Sequence, residues 1–394
     1  MTFSPLLTVR ELLQTPILRA VRATLRAEPV IADALAIQQI PAPTFHEEAR
    51  AQWVAERFRQ MGLDDVRMDA LYNVYGRWAG THPDAPALLV SAHTDTVFPL
   101  ETDLRVRYRG TRIYGPGLGD NSLGVAGLLA LVRALQAHDV RPRADLWIVA
   151  NSREEGLGDL DGIRAVWKTL RRRLGAAIVV EGLAFRHVYH VGIAVRRLRI
   201  ICRAPGGHSW LHFGQPSALH GLIALGGRIL ALQPPQTPRT TYNIGLMNGG
   251  HSVNSLATFA EMYLDLRSED PQALAELEAE VRKSIAEFQT RRLRFEVQVV
   301  GNRPAGAIAV EHPLVQLAAS VLQEDGCRPV YARGSTDANI FLAQGTPAVT
   351  VGISYGGNAH RLDEYIETTP IADGVWHLLV LTLAAANTLH VWPT

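Results

Sequence analysis

Short apolar runs alternate with longer segments of helical periodicity along the first half of the chain. The runs "ALLVSAH" (87–93), "LWIVANS" (146–152) and "AAIVVEG" (176–182) contain few polar positions before their last residues. Between them, residues 122–138 and 158–174 repeat apolar side chains at the spacing of helices. Strands that are apolar on both faces and alternate with helices are typical of a parallel sheet covered on both sides. The pattern therefore predicts an α/β fold with a mostly parallel sheet.

The period of the pattern changes near residue 192. Residues 191–204, "VGIAVRRLRIICRA", alternate apolar and polar positions, as a half-exposed antiparallel strand does. A helix, two strands, a second helix and a further strand follow, which is the order of a ferredoxin-like α+β unit. We therefore expect a larger domain formed by residues 1–191 and 303–394, with a smaller domain, residues 192–302, inserted into it.

The N-terminal region is predicted to be helical. Residues 17–62 read as helices interrupted at "IPAPTFHEEA" (40–49), and Thr44 and Glu47 have the spacing of a capping box that opens a helix through Phe58. The uninterrupted apolar region and small-residue cleavage site of a signal peptide are missing. No run of about 18 apolar residues predicts a membrane span. We expect a cytoplasmic protein without membrane association.

Composition and charge narrow the possible partners. The 394 residues are 47% hydrophobic and 20% charged, which is ordinary for a globular chain long enough for two domains. The net charge of +1 gives no reason to expect a nucleic-acid partner. Cys202 and Cys327 form neither a CxxC motif nor a disulfide framework, so we expect both to be small hydrophobic side chains.

Imidazole and carboxylate groups stand where the apolar runs end. His93 closes the first run, Glu154 and Glu155 follow the second, Glu181 follows the third, and a later apolar run is followed by His360. Because ligands of open α/β sheets bind at the carboxyl ends of the strands, these side chains are expected to meet in one crevice. Each motif taken singly is common in structural roles. Their succession at consecutive strand ends favours a shared site.

A divalent metal centre is the chemistry that this set favours. Asp120 lies in the loop that opens the helix after the first run, and it joins Glu155, Glu181 and the two histidines. Imidazoles and carboxylates suit a borderline ion such as zinc, and cobalt or manganese could occupy the same donors. Five ligands are too many for one tetrahedral ion, but they are enough for two ions that share a bridging carboxylate.

The residues beside the candidate ligands suggest further roles. Because His93 and Asp95 have the spacing of one strand face, Asp95 is expected to accept the second ring N–H of His93. Glu154 and Glu155 cannot point the same way, so one is expected to bind metal while the other faces the attacking water as a general base. The glycine-rich "GPGLGD" (115–120) lacks the Lys-Ser/Thr pair of a phosphate loop, so we do not expect nucleotide binding.

The chain resembles the dinuclear zinc metallopeptidases, a family that includes peptidase T, glutamate carboxypeptidase, aminoacylase and succinyl-diaminopimelate desuccinylase. Seven segments between Ile40 and Thr369 carry the resemblance: "SAHTDTV", "GPGLGDNSLG", "NSREEGLG", "VVEG", "APGGHS", "GSTDANIF" and "GGNAHRLDEYI". It implies a zinc-exopeptidase-like catalytic domain and an inserted lid domain that mediates homodimerisation.

The resemblance also implies roles for the strand-end residues. Two zinc ligand sets that share a bridging aspartate are implied: His93, Asp120 and Glu181, and Asp120, Glu155 and His360. Glu154 is implied as the general base, and Asp95 as the carboxylate behind the metal-binding histidine.

Three residues of the smaller domain are implied to bind substrate. In the family, the histidine that corresponds to His208 often reaches the active site of the other subunit, where it stabilises an oxyanion or holds a substrate carboxylate. Asn254 and Arg267 match positions with similar roles. Alternatives stay open for all three: His208 as a turn cap, Asn254 as a loop brace and Arg267 as a member of a surface ion pair.

Trp210 directly follows one of the segments that carry the resemblance, and Asp337 lies in another. Trp210 stands where relatives have a small residue, and with Phe213 nearby it could narrow the cleft or give it an apolar wall. Substrate preference is therefore not transferred from the family. Asp337, in "GSTDANIF", is expected to be structural.

The function expected from these residues is hydrolysis of an amide bond in small peptides or N-acyl amino acids. Aminopeptidase, carboxypeptidase and deacylase activities all remain open. The alternative is a non-catalytic metal-bound pseudoenzyme or a dimeric interaction protein. Such a protein would be expected to have lost the base or a ligand, and here Glu154 and all five candidate ligands are present.

Overall fold

A computed structural model describes residues 3–392, which divide into two compact units. The first unit comprises the chain up to Gly192 and again from Gly306, and the second comprises Ile193–Ala305. The inserted unit thus begins one residue later, and ends three residues later, than the sequence pattern predicts.

Eleven α-helices lie within the described residues. In chain order they are α1 (Pro5–Gln14), α2 (Pro16–Thr24), α3 (Ala27–Gln38), α4 (Glu48–Gln60), α5 (Leu123–Ala137), α6 (Asp161–Leu170), α7 (Ala218–Leu230), α8 (Pro271–Phe288), α9 (Pro313–Glu324), α10 (Ala338–Ala343) and α11 (Ile371–Thr388).

Nineteen strands, several of them only two or three residues long, accompany the helices in residues 3–392. They are β1 (Asp64–Met68), β2 (Val74–Trp78), β3 (Ala87–His93), β4 (Arg107–Arg109), β5 (Arg112–Tyr114), β6 (Leu146–Asn151), β7 (Leu174–Glu181), β8 (His187–Gly192), β9 (Ala194–Arg203), β10 (Gly207–His208), β11 (Thr240–Gly249), β12 (Ser255–Leu256), β13 (Phe259–Ser268), β14 (Arg294–Arg303), β15 (Gly306–Ala307), β16 (Val330–Gly334), β17 (Ala348–Gly352), β18 (Gly356–Gly357) and β19 (Tyr365–Glu367).

The first unit is built on a nine-stranded mixed sheet. Its main path runs β1-β2-β6-β3-β7-β17-β8-β15, with β16 paired to β8. The four central strands, β6, β3, β7 and β17, are mutually parallel. All residues of β3 and β6 are buried, as expected of strands covered on both faces. The predicted α/β class with a mostly parallel central sheet is confirmed.

The second unit is an antiparallel sheet with two helices. The strand order is β11-β13-β9-β14, and α7 and α8 pack against β9 and β13. Strand β13 alternates half-buried and buried residues along its whole length, which is the period of a sheet with one covered face. This is the strand and helix order that the sequence pattern predicts for the inserted unit.

Two helices are long and apolar enough by composition to span a membrane. Residues Leu118–Ala137 and Ile371–Val391 meet that test, and 89% and 78% of their apolar windows are buried inside the protein. Both α5 and α11 contribute to the main core of the first unit. Their apolar composition is therefore accounted for by packing within the fold.

The predicted capping box at the start of α4 is wrong. The helix begins at Glu48, and no side chain caps its first turn. The Thr44 hydroxyl donates instead to Asp95 Oδ2, at 2.8 Å, and Glu47 Oε1 accepts the amide N–H of Phe45 and Arg153. Asp95 and Arg153, both more than 50 positions away, thus bind the two side chains that the spacing assigns to a local capping box.

Candidate metal centre

Three neighbouring parallel strands deliver the first candidate ligands to one edge of the sheet. Strand β3 ends at His93, β7 ends at Glu181, and β6 ends three residues before Glu154. Since β3 lies between β6 and β7, their carboxyl ends are adjacent. His360 follows the fourth parallel strand, β17, after the short strand β18.

Asp120 reaches the same edge from an irregular turn, residues 118–122, that leads into α5. The Asp120–Asn121 peptide bond is cis. Asn121 ties the turn to the end of β7, because its amide group donates to Val180 O and its Oδ1 accepts from Gly182 N, both at 2.8 Å. The turn is thereby held against the strand that carries Glu181.

The five candidate ligands form two groups that share Asp120. His93 Nε2 lies 3.1 Å from Asp120 Oδ1 and 3.6 Å from Glu181 Oε2. His360 Nε2 lies 3.3 Å from Asp120 Oδ2 and 3.0 Å from Glu155 Oε1. Each oxygen of the Asp120 carboxylate thus faces a different histidine, which is the arrangement of a bridging ligand.

The separations between these donor atoms fit bound metal ions. Ligand distances of about 2.0–2.1 Å around a tetrahedral zinc ion place neighbouring donor atoms about 3.3 Å apart. The observed 3.0–3.6 Å separations span this value. The donor atoms within each group all lie within 4.8 Å of one another. The residues present therefore fit two divalent ions.

The electrostatics of the site also favour cations. Burial raises the pKa of Glu181 to about 7 and, together with repulsion from Asp120, that of Glu155 to about 7. Hydrogen bonds to Asp120 and Glu155 raise the pKa of His360 to about 10. Burial alone would raise the pKa of Asp120, but hydrogen bonds from His360 and His93 hold it well below its ordinary value. In the metal-free protein, protons bound to these side chains offset part of the negative charge of the carboxylates. Divalent ions would neutralise the same charge.

The tautomer of His93 is set by a backbone group. His93 Nδ1 lies 3.1 Å from the carbonyl oxygen of Asp95 and 3.5 Å from its carboxylate Oδ1. A carbonyl oxygen only accepts, so Nδ1 carries the proton and Nε2 is left to face the metal position. The carboxylate of Asp95, the predicted acceptor, also lies close to Nδ1, but the carbonyl oxygen of the same residue is nearer.

The Asp95 carboxylate also holds the turn that carries the two glutamates. Asp95 Oδ1 accepts the amide N–H of Glu154, and Oδ2 accepts that of Glu155, both at 2.9 Å. Asp95 is fully buried. Glu154 is buried too, and its carboxylate lies within 4.8 Å of donor atoms of His93 and Glu155.

Two further buried carboxylates adjoin the site. Glu364 Oε1 accepts the amide N–H of Gly119 at 2.6 Å and of Asp120 at 3.0 Å. Asp337 Oδ2 accepts from the Asn151 side chain at 2.7 Å. Burial raises the pKa of Glu364 to about 8, and burial and then Glu154 raise that of Asp337 well above its ordinary value. Glu364 was missed in the sequence because its partners are backbone amides some 245 positions away.

The three residues of the inserted unit are engaged in local contacts. His208 Nδ1 accepts the Trp210 amide at 3.2 Å, and Asn254 Oδ1 accepts the Ser252 hydroxyl at 2.6 Å. Arg267 Nε donates to Asp265 at 2.7 Å. These contacts are those of a turn cap, a loop brace and an ion pair.

Pairing of β10 with β12 brings two of these residues together. It sets His208 opposite Ser255, and the Ser209 amide donates to Asn254 O at 2.9 Å. His208 and Asn254 therefore lie on adjacent segments. Trp210 and Phe213, which follow His208, are 84% and 89% exposed.

Comparison with known proteins decides the family. The sequence profile described as peptidase family M20/M25/M40 matches residues 89–383, which is most of the chain and includes all five candidate ligands. The chain belongs to this family. Its members are metal-dependent hydrolases, and the His, Asp and Glu groups described above provide a possible metal-binding cluster.

Individual relatives agree with this assignment. Acetylornithine deacetylase of Shigella sonnei is 25% identical over 337 residues, covering 80% of this chain and 85% of the relative. Among solved structures, a tripeptidase of Staphylococcus aureus matches with a TM-score of 0.73 at 18% identity, covering 92% of this chain and 99% of its own. The dipeptidase Dug1p of Saccharomyces cerevisiae matches with a TM-score of 0.75 at 13% identity, covering 97% and 98%. The family fold thus extends over nearly the whole chain.

Proposed function

We propose that this protein is a hydrolase with two metal ions that cleaves an amide bond in small peptides or N-acyl amino acids, using Glu154 as the general base. The observation that carries the proposal is the pair of ligand groups that share the Asp120 carboxylate, with the Glu154 carboxylate beside them. A site for one metal ion does not require a carboxylate whose two oxygens face two different histidines, whereas a site for two ions does.

The proposed ligand assignment follows these contacts. His93, Asp120 and Glu181 would hold one ion, and Asp120, Glu155 and His360 would hold the other. Zinc suits these donors best, and cobalt or manganese could replace it. When bound, such a pair of ions polarises the scissile carbonyl and makes a water molecule nucleophilic near neutral pH.

Glu154 is the residue proposed to move the proton. Its carboxylate would take a proton from the attacking water and return it to the leaving nitrogen, as a general base that becomes a general acid. The hydrogen bond from the amide N–H of Glu154 to Asp95 restrains the backbone from which the Glu154 side chain projects. Burial of the residue excludes bulk water that would compete for the proton.

The proposed substrate class rests on the relatives and on the inserted unit. Names among the similar proteins include a deacetylase of an N-acyl amino acid, a tripeptidase and a dipeptidase. His208, Asn254 and Arg267 offer an imidazole, an amide and a guanidinium, which suit an oxyanion or a substrate carboxylate. We therefore favour substrates with a free carboxylate.

A homodimer formed through the inserted unit is part of the proposal. Helix α7 leaves Ile223 and Leu230 more than half exposed, two turns apart on one face. The neighbouring strand β11 is an edge strand and exposes Leu246 and Met247. An apolar helix face beside an unpaired strand edge is a surface that a second copy would cover.

The test uses the purified protein and a panel of dipeptides, tripeptides and N-acyl amino acids. Hydrolysis is expected with added Zn²⁺ or Co²⁺ and is expected to be lost after treatment with a chelator. Glu154→Gln should keep its metal, measured by mass spectrometry, and should lose about 10²-fold or more in kcat, because the proton acceptor is gone.

The panel also separates the open activities. Cleavage at the amino end, at the carboxyl end or of the acyl group identifies an aminopeptidase, a carboxypeptidase or a deacylase. Near-normal kcat for the metal-loaded Glu154→Gln variant would contradict the assigned base. Absence of hydrolysis across the panel by metal-loaded protein would favour the non-catalytic alternative.

A further inference from the structure

The turn that carries Glu154 is held through three successive backbone amides. Glu154 N and Glu155 N donate to the two oxygens of Asp95, and Arg153 N donates to Glu47 Oε1 at 3.1 Å. Asp95 and Glu47 are both completely buried. Two buried carboxylates from different parts of the chain therefore fix one short segment.

The backbone of this segment needs such support. Arg153 has a φ of 56°, in the left-handed region that residues with a side chain rarely adopt. A residue in this conformation persists when the surrounding structure holds it there. The hydrogen bond of Arg153 N is the contact that joins this residue to Glu47.

The Glu47 carboxylate does not cap the helix that follows it, although the Glu47 carbonyl oxygen accepts the Ala51 amide N–H at 2.9 Å. Helix α4 lacks a side-chain cap, and Glu47 Oε1 accepts from Arg153 N and from Phe45 N at 3.0 Å. Its other oxygen, Oε2, is buried and has no hydrogen-bond partner among residues 3–392. A buried carboxylate with one unsatisfied oxygen is unfavourable for stability, so its position calls for another explanation.

Arg50, one helical turn further along, supports the same arrangement. Its guanidinium is buried and donates to Thr94 O at 2.6 Å and to Ile40 O at 2.6 Å. Thr94 lies between His93 and Asp95. A buried cation at this point also offsets the charges of Asp95 and Glu47. Glu47 and Arg50 together thus contact both segments that form the site, Glu47 at Arg153 and Arg50 at Thr94.

We propose that Glu47 is a positioning residue for Glu154, which it places by holding the Arg153 amide. The proposal rests on the proposed function only in taking Glu154 as the base. Glu47 itself touches neither the candidate ligands nor, in our proposal, the substrate. Its effect should therefore fall on kcat and on the order of the turn, with little change in KM or metal content.

Four variants test this role. Glu47→Ala removes the acceptor, and Glu48→Ala is the matched control, since Glu48 is the exposed neighbour in the next position. Glu47→Gln keeps an oxygen acceptor but loses the charge, whereas Glu47→Asp keeps the charge but withdraws the acceptor by one methylene group. We expect kcat to fall roughly 10-fold or more for Ala and Asp, because small misplacements of a catalytic group have effects of this size. Gln should stay within about 3-fold of the natural protein, and Glu48→Ala should be unchanged.

Hydrogen exchange gives a readout that does not depend on activity. In metal-free protein, amides of residues 152–156 should exchange faster in Glu47→Ala than in Glu48→Ala or Glu47→Gln. If Glu47→Ala does not fold, the comparison of Gln with Asp carries the test. A Gln variant as impaired as Asp, or Ala with unchanged kcat and exchange, would overturn the proposal.

A double variant separates this inference from the proposed function. In the Glu154→Gln background, Glu47→Ala should cause no further loss of kcat, because its effect acts through Glu154. An additional 10-fold loss would show that Glu47 acts elsewhere. If Glu154→Gln alone kept normal kcat, the assigned base would be wrong, while faster exchange in Glu47→Ala would still report on the hydrogen bond.

Discussion

At the scale of single residues, Glu364 is a buried carboxylate that supports the candidate metal centre through backbone hydrogen bonds. Its Oε1 accepts the amide N–H groups of Gly119 and Asp120, so it fixes the backbone from which the proposed bridging ligand, Asp120, projects. Glu364→Ala should weaken metal binding about 10-fold or more, as loss of such supporting partners does. Metal content measured during titration with a chelator provides the check.

Glu364→Gln is the matched variant for this prediction. The pKa of Glu364 is raised to about 8 by burial, so near pH 7 the carboxyl is mostly neutral in the metal-free protein. A glutamine would therefore reproduce both its oxygen acceptor and its charge. Equal metal retention by Glu364→Ala and the natural protein would contradict the assigned role.

The sequence indicated the residues that face the site but not those that hold them. His93, Glu155 and Glu181 are visible because each follows an apolar strand, where a polar group is conspicuous. Glu47 and Glu364 act on backbone amides far along the chain, and no local pattern marks such a partner. Thr44 and Glu47 even have the spacing of a capping box that the structure does not contain.

At the scale of elements, a partly exposed hydrogen bond between His377 and Asp325 joins α11 to the end of α9 in the first unit. His377, on α11, places Nε2 2.8 Å from the carboxylate of Asp325, which follows the end of α9. The hydrogen bond to His377 lowers the pKa of Asp325 below its ordinary value of about 4. The folded state therefore binds this proton less readily than the unfolded state.

This pair predicts a pH-dependent contribution to stability. A carboxyl whose pKa is depressed on folding stabilises the protein above its unfolded value, and the contribution is lost as the pH falls through the folded value. The free energy of unfolding of the natural protein should exceed that of Asp325→Asn by about 1 kcal/mol or less at pH 6, since the pair is partly exposed. The difference should shrink below pH about 4, as measured by urea unfolding. A difference that grows as the pH falls would show the opposite linkage.

Most elements were predictable, and the exceptions have physical causes. The fully buried strands β3 and β6 are recognisable in the sequence as continuous apolar runs. Helix α11 was not predicted, because it is buried on nearly all sides. Its sequence therefore has almost no polar face and lacks the amphipathic periodicity that marks a helix. Short strands such as β10 and β12 depend on pairing with each other, which their own residues do not encode.

At the scale of the whole molecule, the proposed homodimer would cover the exposed apolar face of α7. Ile223→Asp would place a charge on the exposed apolar face of α7 and should shift the protein from dimer toward monomer in analytical ultracentrifugation. Leu7→Asp, on α1 of the first unit, is the control, because Leu7 and Ile223 are both 55% exposed. A natural protein that is monomeric at micromolar concentration, or an Ile223→Asp variant that remains fully dimeric, would contradict the assigned interface.

The sequence by itself determined the fold class, the insertion of an α+β unit and the candidate ligands, because burial imposes a period on each element and polar groups at strand ends break it. The tertiary structure alone decided which atoms meet. It placed each oxygen of Asp120 against a different histidine, directed the ring N–H of His93 toward the Asp95 carbonyl oxygen, and turned Glu47 toward Arg153. Hydrogen bonds act over about 3 Å and require a set geometry, whereas periodicity constrains only which face of an element a residue occupies.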